Sequence, residues 1–329
     1  MSSFREATAV TPVDSHTYAA QLYNEWCIGS VPHGGFVTAL FLNVAQAHFH
    51  GTLASQNQPH TITFHLEFLR RTHVGPARFT VKDVKLGSRT STIHITMAQD
   101  DREEVVAYAT NSNFALETGP SLPTHWALHP APDRVDLSKL RAGQDANWEE
   151  LRDLPYAEFR KALTQIRMFL PRWGQKMKSL SDEWICFRNG EKFTNASVGY
   201  VCDAWPQVIE SYRARETETK QANDQAKGIL PSLSSGTDPD ELLSPSRRLW
   251  YPTVLLNLDI KKPLPEEGVE WLFARVQAKQ IQNGRYDVEI VILDETGDIV
   301  ALSHHVCLIL GAERNMAARK KNTNRETKL

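Results

Sequence analysis

Apolar and polar residues change their spacing along this chain in an order that later recurs. Over residues 31–48 the apolar positions Val37, Leu40, Phe41, Val44 and Ala45 fall three and four apart, predicting a helix with one broad buried face. Pro32, Gly34 and Gly35 mark its start. The spacing then drops to two: residues 60–69 and 77–84 alternate apolar with polar, and 90–97 and 105–114 continue the run. The prediction is a helix followed by an antiparallel meander.

The second half repeats that order. Residues 184–190 read as a strand and turn, and 198–212 as an apolar helix carrying an acid, Asp203, near its start. Strands are predicted at 253–260, 270–280, 286–293 and 299–310, with a tight turn at 295–298. Aligning the halves pairs Gly35-Phe36-Val37 with Gly199-Tyr200-Val201, Gly87-Ser88-Arg89 with Asn283-Gly284-Arg285, and Val106-Ala107 with Val300-Ala301. A repeat of this length predicts two copies of one fold. The expected organisation is a first unit at 1–118, a linker at 119–181, a second unit at 182–315 and a basic tail at 316–329. The linker is Pro-rich at first, with a helix expected over 147–169, interrupted near Pro155. Residues 213–248, polar and turn-rich, read as a largely disordered surface insertion in the second unit.

Composition narrows the function classes. The chain has 329 residues, 41% hydrophobic and 23% charged, the balance of a globular protein with room for two cores. A formal charge of -2 gives no reason to expect nucleic acid or a membrane surface as partner. No apolar run approaches the roughly 20 residues that span a bilayer. The four cysteines are scattered without a CxxC pair, as expected of reduced thiols in an intracellular, cytoplasmic protein. The terminal Thr327-Lys328-Leu329 is a degenerate form of the peroxisomal address, and a solvated basic tail is the competing reading. His60 and His65 fall on opposite strand faces with no Cys or carboxylate placed to join them, so no metal is expected. No cofactor is expected either. The absence of a GxSxG elbow argues against an α/β-hydrolase.

The residues Trp26-x-Ile28-Gly29, Pro32-His33-Gly34-Gly35, Gly87-Ser88-Arg89, Trp184-Ile185-Cys186-Phe187-Arg188, Cys202-Asp203-Ala204-Trp205-Pro206, Asp294-x-x-Gly297 and Ile299-Val300-Ala301-Leu302-Ser303 occur in one order through both halves. In this they resemble the double-hotdog acyl-CoA thioesterases. The resemblance spans most of the chain except the linker, the insertion and the tails. It implies an α+β fold: a tandem hotdog, each unit a long central helix wrapped by a curved antiparallel sheet. It also implies hydrolysis of acyl-CoA or carrier-bound thioesters by a water held between an Asp, a Thr and a Gln of the second half. Carried over, these fall on Asp203, Thr253 and, as a departure from the family's Gln, His305. Ala39, Thr61 and Asn111 take the corresponding places in the first half, which therefore looks catalytically silent. Gly34 and Gly35 at the helix start, with Trp205, are the expected substrate-binding residues. Homo-oligomers through hotdog sheets are allowed.

The residues themselves leave alternatives open. An acid on a mostly apolar helix face is costly without a purpose, yet pairing with a nearby Arg is the structural alternative. Thr253 could be a plain strand residue, and His305 a half-buried one. His304 and His305 point to opposite faces, so only one can meet the helix. A His–Asp pair also suits a dehydratase or cyclase, and a pocket with its positioning donor lost suits a silent acyl-binding protein. Arg70-Arg71 and Lys261-Lys262 are candidates for coenzyme A phosphates, or simply solvated surface.

Overall fold

The computed structural model describes residues 2–205, 208–213 and 247–317. Most of the predicted insertion and the tail with its terminal tripeptide lie outside these residues. In the first half, strand β1 (Thr17–Leu22) precedes helix α1 (Gly34–His50), and strands β2 (His60–Phe68), β3 (Gly75–Lys85), β4 (Ser91–Gln99) and β5 (Arg102–Ser112) follow. The second half has β6 (Trp148–Glu150), β7 (Ile166–Pro171), β8 (Leu180–Phe187), helix α2 (Val198–Cys202), β9 (Thr253–Ile260), β10 (Leu272–Gln277), β11 (Arg285–Leu293) and β12 (Ile299–Leu308).

These strands join one sheet of fourteen, in the order β1-β3-β4-β5-β2-β9-β12-β11-β10-β8-β7-β6, with Thr11–Pro12 outside β1 and the short strand Ile281–Gln282 paired with β11. The order of the first five is mirrored by the next five, and the halves meet where β2 pairs antiparallel with β9. At that seam Asn257 lies opposite His65, whose Nδ1 is 2.6 Å from Asn257 Oδ1. Pairing the units in this way removes an edge from each.

Both helices lie against the same side of the sheet and share one apolar core. They cross at paired glycines. A methyl on Gly35 would come within 2.7 Å of the Tyr200 carbonyl oxygen, and one on Gly199 within 2.8 Å of Thr38 Cγ2. At Gly35, where the obstacle is backbone, only hydrogen fits.

Three sequence expectations change. The second helix stops at Cys202, with Asp203 as its C-cap, rather than running to residue 212; a five-residue 3-10 turn (Val208–Tyr212) follows. Pro206 in the sequence disfavours helical backbone at the residue before it and offers no N–H to prolong the ladder. The linker forms no α-helix over 147–169, only a 3-10 turn at Lys161–Gln165; it supplies β6, which pairs with β7, and β7, which pairs with β8. Its earlier part, with a short helix at Leu137–Arg141, covers the outer sheet face over Trp148, Phe169, Trp184, Trp271 and Phe273. This explains why β8 is buried at all eight positions, where a one-sided strand would alternate. Beneath this cover Arg275 binds Asp182 bidentately at 2.6 Å and donates to the Pro130 carbonyl at 2.6 Å.

The third change is in register. Thr61 lies opposite Asn111, and Thr253 opposite Cys307, each followed by a bulge. Asn111 therefore corresponds to Cys307, and His305 to Ala109, two residues out of step with the sequence alignment. A slip of two leaves every side chain on its own face, so the apolar pattern cannot detect it.

Candidate active site

The end of α2 delivers Asp203 to the start of α1. Its carboxylate is 4% exposed and lies in the wall of a cavity of about 240 Å³ between the two halves. Thr253, entering β9, donates its hydroxyl hydrogen to Asp203 Oδ1 at 3.0 Å. Oδ2 rests against the first turn of α1, where a methyl on Gly34 would come within 2.6 Å of it. The positive end of a 17-residue helix and a hydroxyl donor thus face the acid.

Two imidazoles flank the carboxylate. His33 Nδ1 is 3.8 Å from Oδ2, and His305 Nδ1 is 3.6 Å from Oδ1. His33 caps α1: its Nδ1 accepts the Gly35 N–H at 3.1 Å, so the ring proton sits on Nε2. Burial pushes the His33 pKa down, against the pull of Asp203. His305 is fully buried, and burial lowers its pKa to about 4, again opposed by Asp203. Both rings are neutral near pH 7. Among the described residues the ion-pair contacts of Asp203 are with these imidazoles, so the arginine clamp of the structural alternative does not form.

Hydrogen bonding fixes the His305 tautomer. The Ser303 hydroxyl donates to the Asn257 carbonyl, leaving its oxygen to accept from His305 Nε2–H at 3.0 Å. Nδ1 is then a bare lone pair facing Asp203, without a hydrogen-bond partner among the described residues. His305 lies behind Asp203 and outside the cavity wall; His304, its neighbour, is exposed, as strand alternation requires.

Of the expected binding residues, Gly34 lines the cavity. Gly35 serves the helix crossing behind it, and Trp205 is not in the wall but packs at 5.6 Å against the guanidinium of Arg160, which is. Arg70 and Arg71 border the cavity. Arg71 donates to the carbonyls of Asn315 and Ala317 at 3.1 and 3.3 Å, while Arg70 is exposed. Lys261 and Lys262 are tied to Asp259, Asp294 and Asp298 elsewhere. Sequence reasoning missed His33 as a site residue; the signal was its place before the paired glycines at a helix start.

A buried carboxylate thus has a hydroxyl on one oxygen and a helix start on the other, in the wall of a cavity between two repeats. Residues 22–112 match the acyl-CoA thioesterase N-terminal domain family and residues 132–309 the acyl-CoA thioesterase C-terminal domain family. The chain belongs to this double-hotdog acyl-CoA thioesterase family. It is 36% identical to the thioesterase-like protein TwmA of Talaromyces wortmannii over 95% of this chain and 93% of that one. Among solved structures, a thioesterase II of Thermobifida fusca (described as putative) superposes with TM-score 0.67 at 16% identity, over 94% of this chain and 98% of that one. A hot dog fold protein of unknown function from Alicyclobacillus acidocaldarius matches with the same TM-score, identity and coverage. No helix among the described residues is long and apolar enough to cross a membrane.

Proposed function

We propose that the chain hydrolyses acyl-CoA or carrier-bound acyl thioesters with a water activated by Asp203. The observation that carries this reading is the Thr253–Asp203 bond of 3.0 Å in the cavity wall, at the N-terminus of α1. The thioester carbonyl enters beside Gly34, and the first-turn amides of α1 are the nearest donors for its oxyanion. The water oxygen attacks the carbonyl carbon while Asp203 takes one of its protons. The tetrahedral intermediate expels the thiolate, which recovers that proton as free thiol; the acid product then ionises.

Thr253 holds the carboxylate in place, and His305 acts through it. Its ring packs behind the carboxylate, with Nδ1 3.6 Å from Oδ1 and outside hydrogen-bond reach, so His305 is a positioning residue. A dehydratase or cyclase with His305 as base would need that ring to meet the substrate, and the wall of the cavity does not include it.

The test is thiol release from a panel of acyl-CoAs and acyl-pantetheines, with Asp203→Asn alongside. Turnover by the wild type and its loss in the variant are expected. Equal rates in both remove Asp203 from the chemistry; tight acyl-CoA binding without turnover makes the chain a binding protein instead.

A further inference from the structure

The far end of α1 carries a second cluster that hydrolysis does not use. His48, in the last turn, is fully buried and directs Nε2 at Asp83 Oδ1, 3.0 Å away on β3. His16, in the loop before β1, brings its Nε2 to within 3.4 Å of Asp83 Oδ2. The outer nitrogen of each ring meets a hydroxyl: His48 Nδ1 lies 3.1 Å from Tyr18 Oη, and His16 Nδ1 lies 2.9 Å from Ser15 Oγ. The inner nitrogens and the carboxylate lie within 4.8 Å of one another. From residue 33 to residue 48 the helix rises about 22 Å, so this cluster is remote from Asp203.

We infer that His16, His48 and Asp83 form a site for a divalent transition ion of the Zn2+ class, with an open coordination position toward solvent. Two imidazoles and a carboxylate are a recognised three-ligand donor set for zinc. The Tyr18 and Ser15 hydroxyls hold the outer nitrogens and so fix the orientation of both rings. His48 by itself satisfies Asp83 as a buried hydrogen bond. His16 has no such need: its side chain is 41% exposed, yet its loop is fixed by an N–H donated to Asp14 Oδ1 at 2.8 Å and by the Val81 N–H on its carbonyl. That loop aims a second imidazole at a carboxylate already engaged, and leaves the entry side open. Coordination at His48 Nε2 leaves Nδ1–H to donate to Tyr18 Oη, 3.1 Å away.

The test uses the full chain, stripped with a chelator and dialysed, then titrated with Zn2+ by calorimetry and with Co2+ by visible spectroscopy. One equivalent of Zn2+, a raised Tm and the d–d bands of a four-coordinate Co2+ site are expected. His16→Ala, a surface change, should weaken uptake more than about 100-fold, beyond the 10–100-fold cost of an outer-shell change, and Tyr18→Phe about 10-fold. Thiol release should be the same in His16→Ala as in the wild type. Absence of stoichiometric Zn2+ uptake by the wild type, or uptake that His16→Ala and Asp83→Asn leave unchanged, overturns the assignment.

Discussion

The two halves place a threonine at the same strand position and give it different partners. In the second half Thr253 donates to a carboxylate, Asp203. In the first, Thr61 donates to Asn111 Oδ1 at 3.0 Å, and Asn111 Nδ2 donates to the Gln58 carbonyl at 3.1 Å. A second cavity, about 480 Å³ in volume, also lies between the halves, with Leu42, Gln46 and Thr61 of the first and Asn195, Leu264 and Glu266 of the second in its wall. What is missing beside Thr61 is an acid on the helix: the position that holds Asp203 in one repeat holds Ala39, fully buried, in the other. One scaffold can therefore offer two pockets and one site. A neutral amide satisfies the threonine as a carboxylate does, but it cannot take a proton from water.

This contrast is open to direct attack. The largest effect should come from Asp203→Asn, with thiol release falling by about 100- to 10,000-fold, the range of a lost general base. Asn111→Ala should leave the rate within a few-fold; a comparable loss there would make the first half a working site.

Acid should expose the buried imidazole behind Asp203. His305 titrates near 6.5 when unfolded and near 4 when folded. Its stabilising neutral state is fully favoured above pH 6.5, and the unfolded chain gains protons first as pH falls. Stability should therefore drop by roughly 3 kcal/mol between pH 6.5 and 4, at about 1.4 kcal/mol per pH unit of displacement. Denaturant melts of wild type and His305→Gln across that range would show it, the variant losing less. The same displacement predicts no step near pH 6.5 in kcat that His305→Gln abolishes; such a step would make this ring a titrating base.

The helix crossing tests how tightly the two repeats are bound to each other. Gly35→Ala drives a methyl into the Tyr200 carbonyl and Asp203 Cβ, at 2.7 and 2.9 Å, and should cost about 1–3 kcal/mol, seen as a lower Tm. Gly199→Ala meets the side chains of Thr38 and Leu42, which can yield, and should cost less. The smallest effect belongs to the threonines. Thr253→Val should lower kcat/KM roughly 10-fold, about 1.4 kcal/mol for a hydrogen bond to a charged group, while Thr61→Val should leave it unchanged. Equal losses would end the distinction between the halves.

Much of this was legible in the residues. The helical spacing of Val37, Leu40, Phe41 and Val44 against the twofold spacing of the strands fixed the element types, because local backbone geometry sets those periods. Their recurrence set the duplication, and an acid near the start of the second apolar segment pointed to the proposed site. Tertiary structure alone decided the rest. It drew linker residues into β6 and β7 and slid β12 by two residues. Strand pairing is a long-range choice that alternation leaves open. It also put His33 and His305 on either side of Asp203, and His16 and His48 on either side of Asp83. These groups are separated by tens to hundreds of positions in the chain, and only packing brings their nitrogens to one carboxylate.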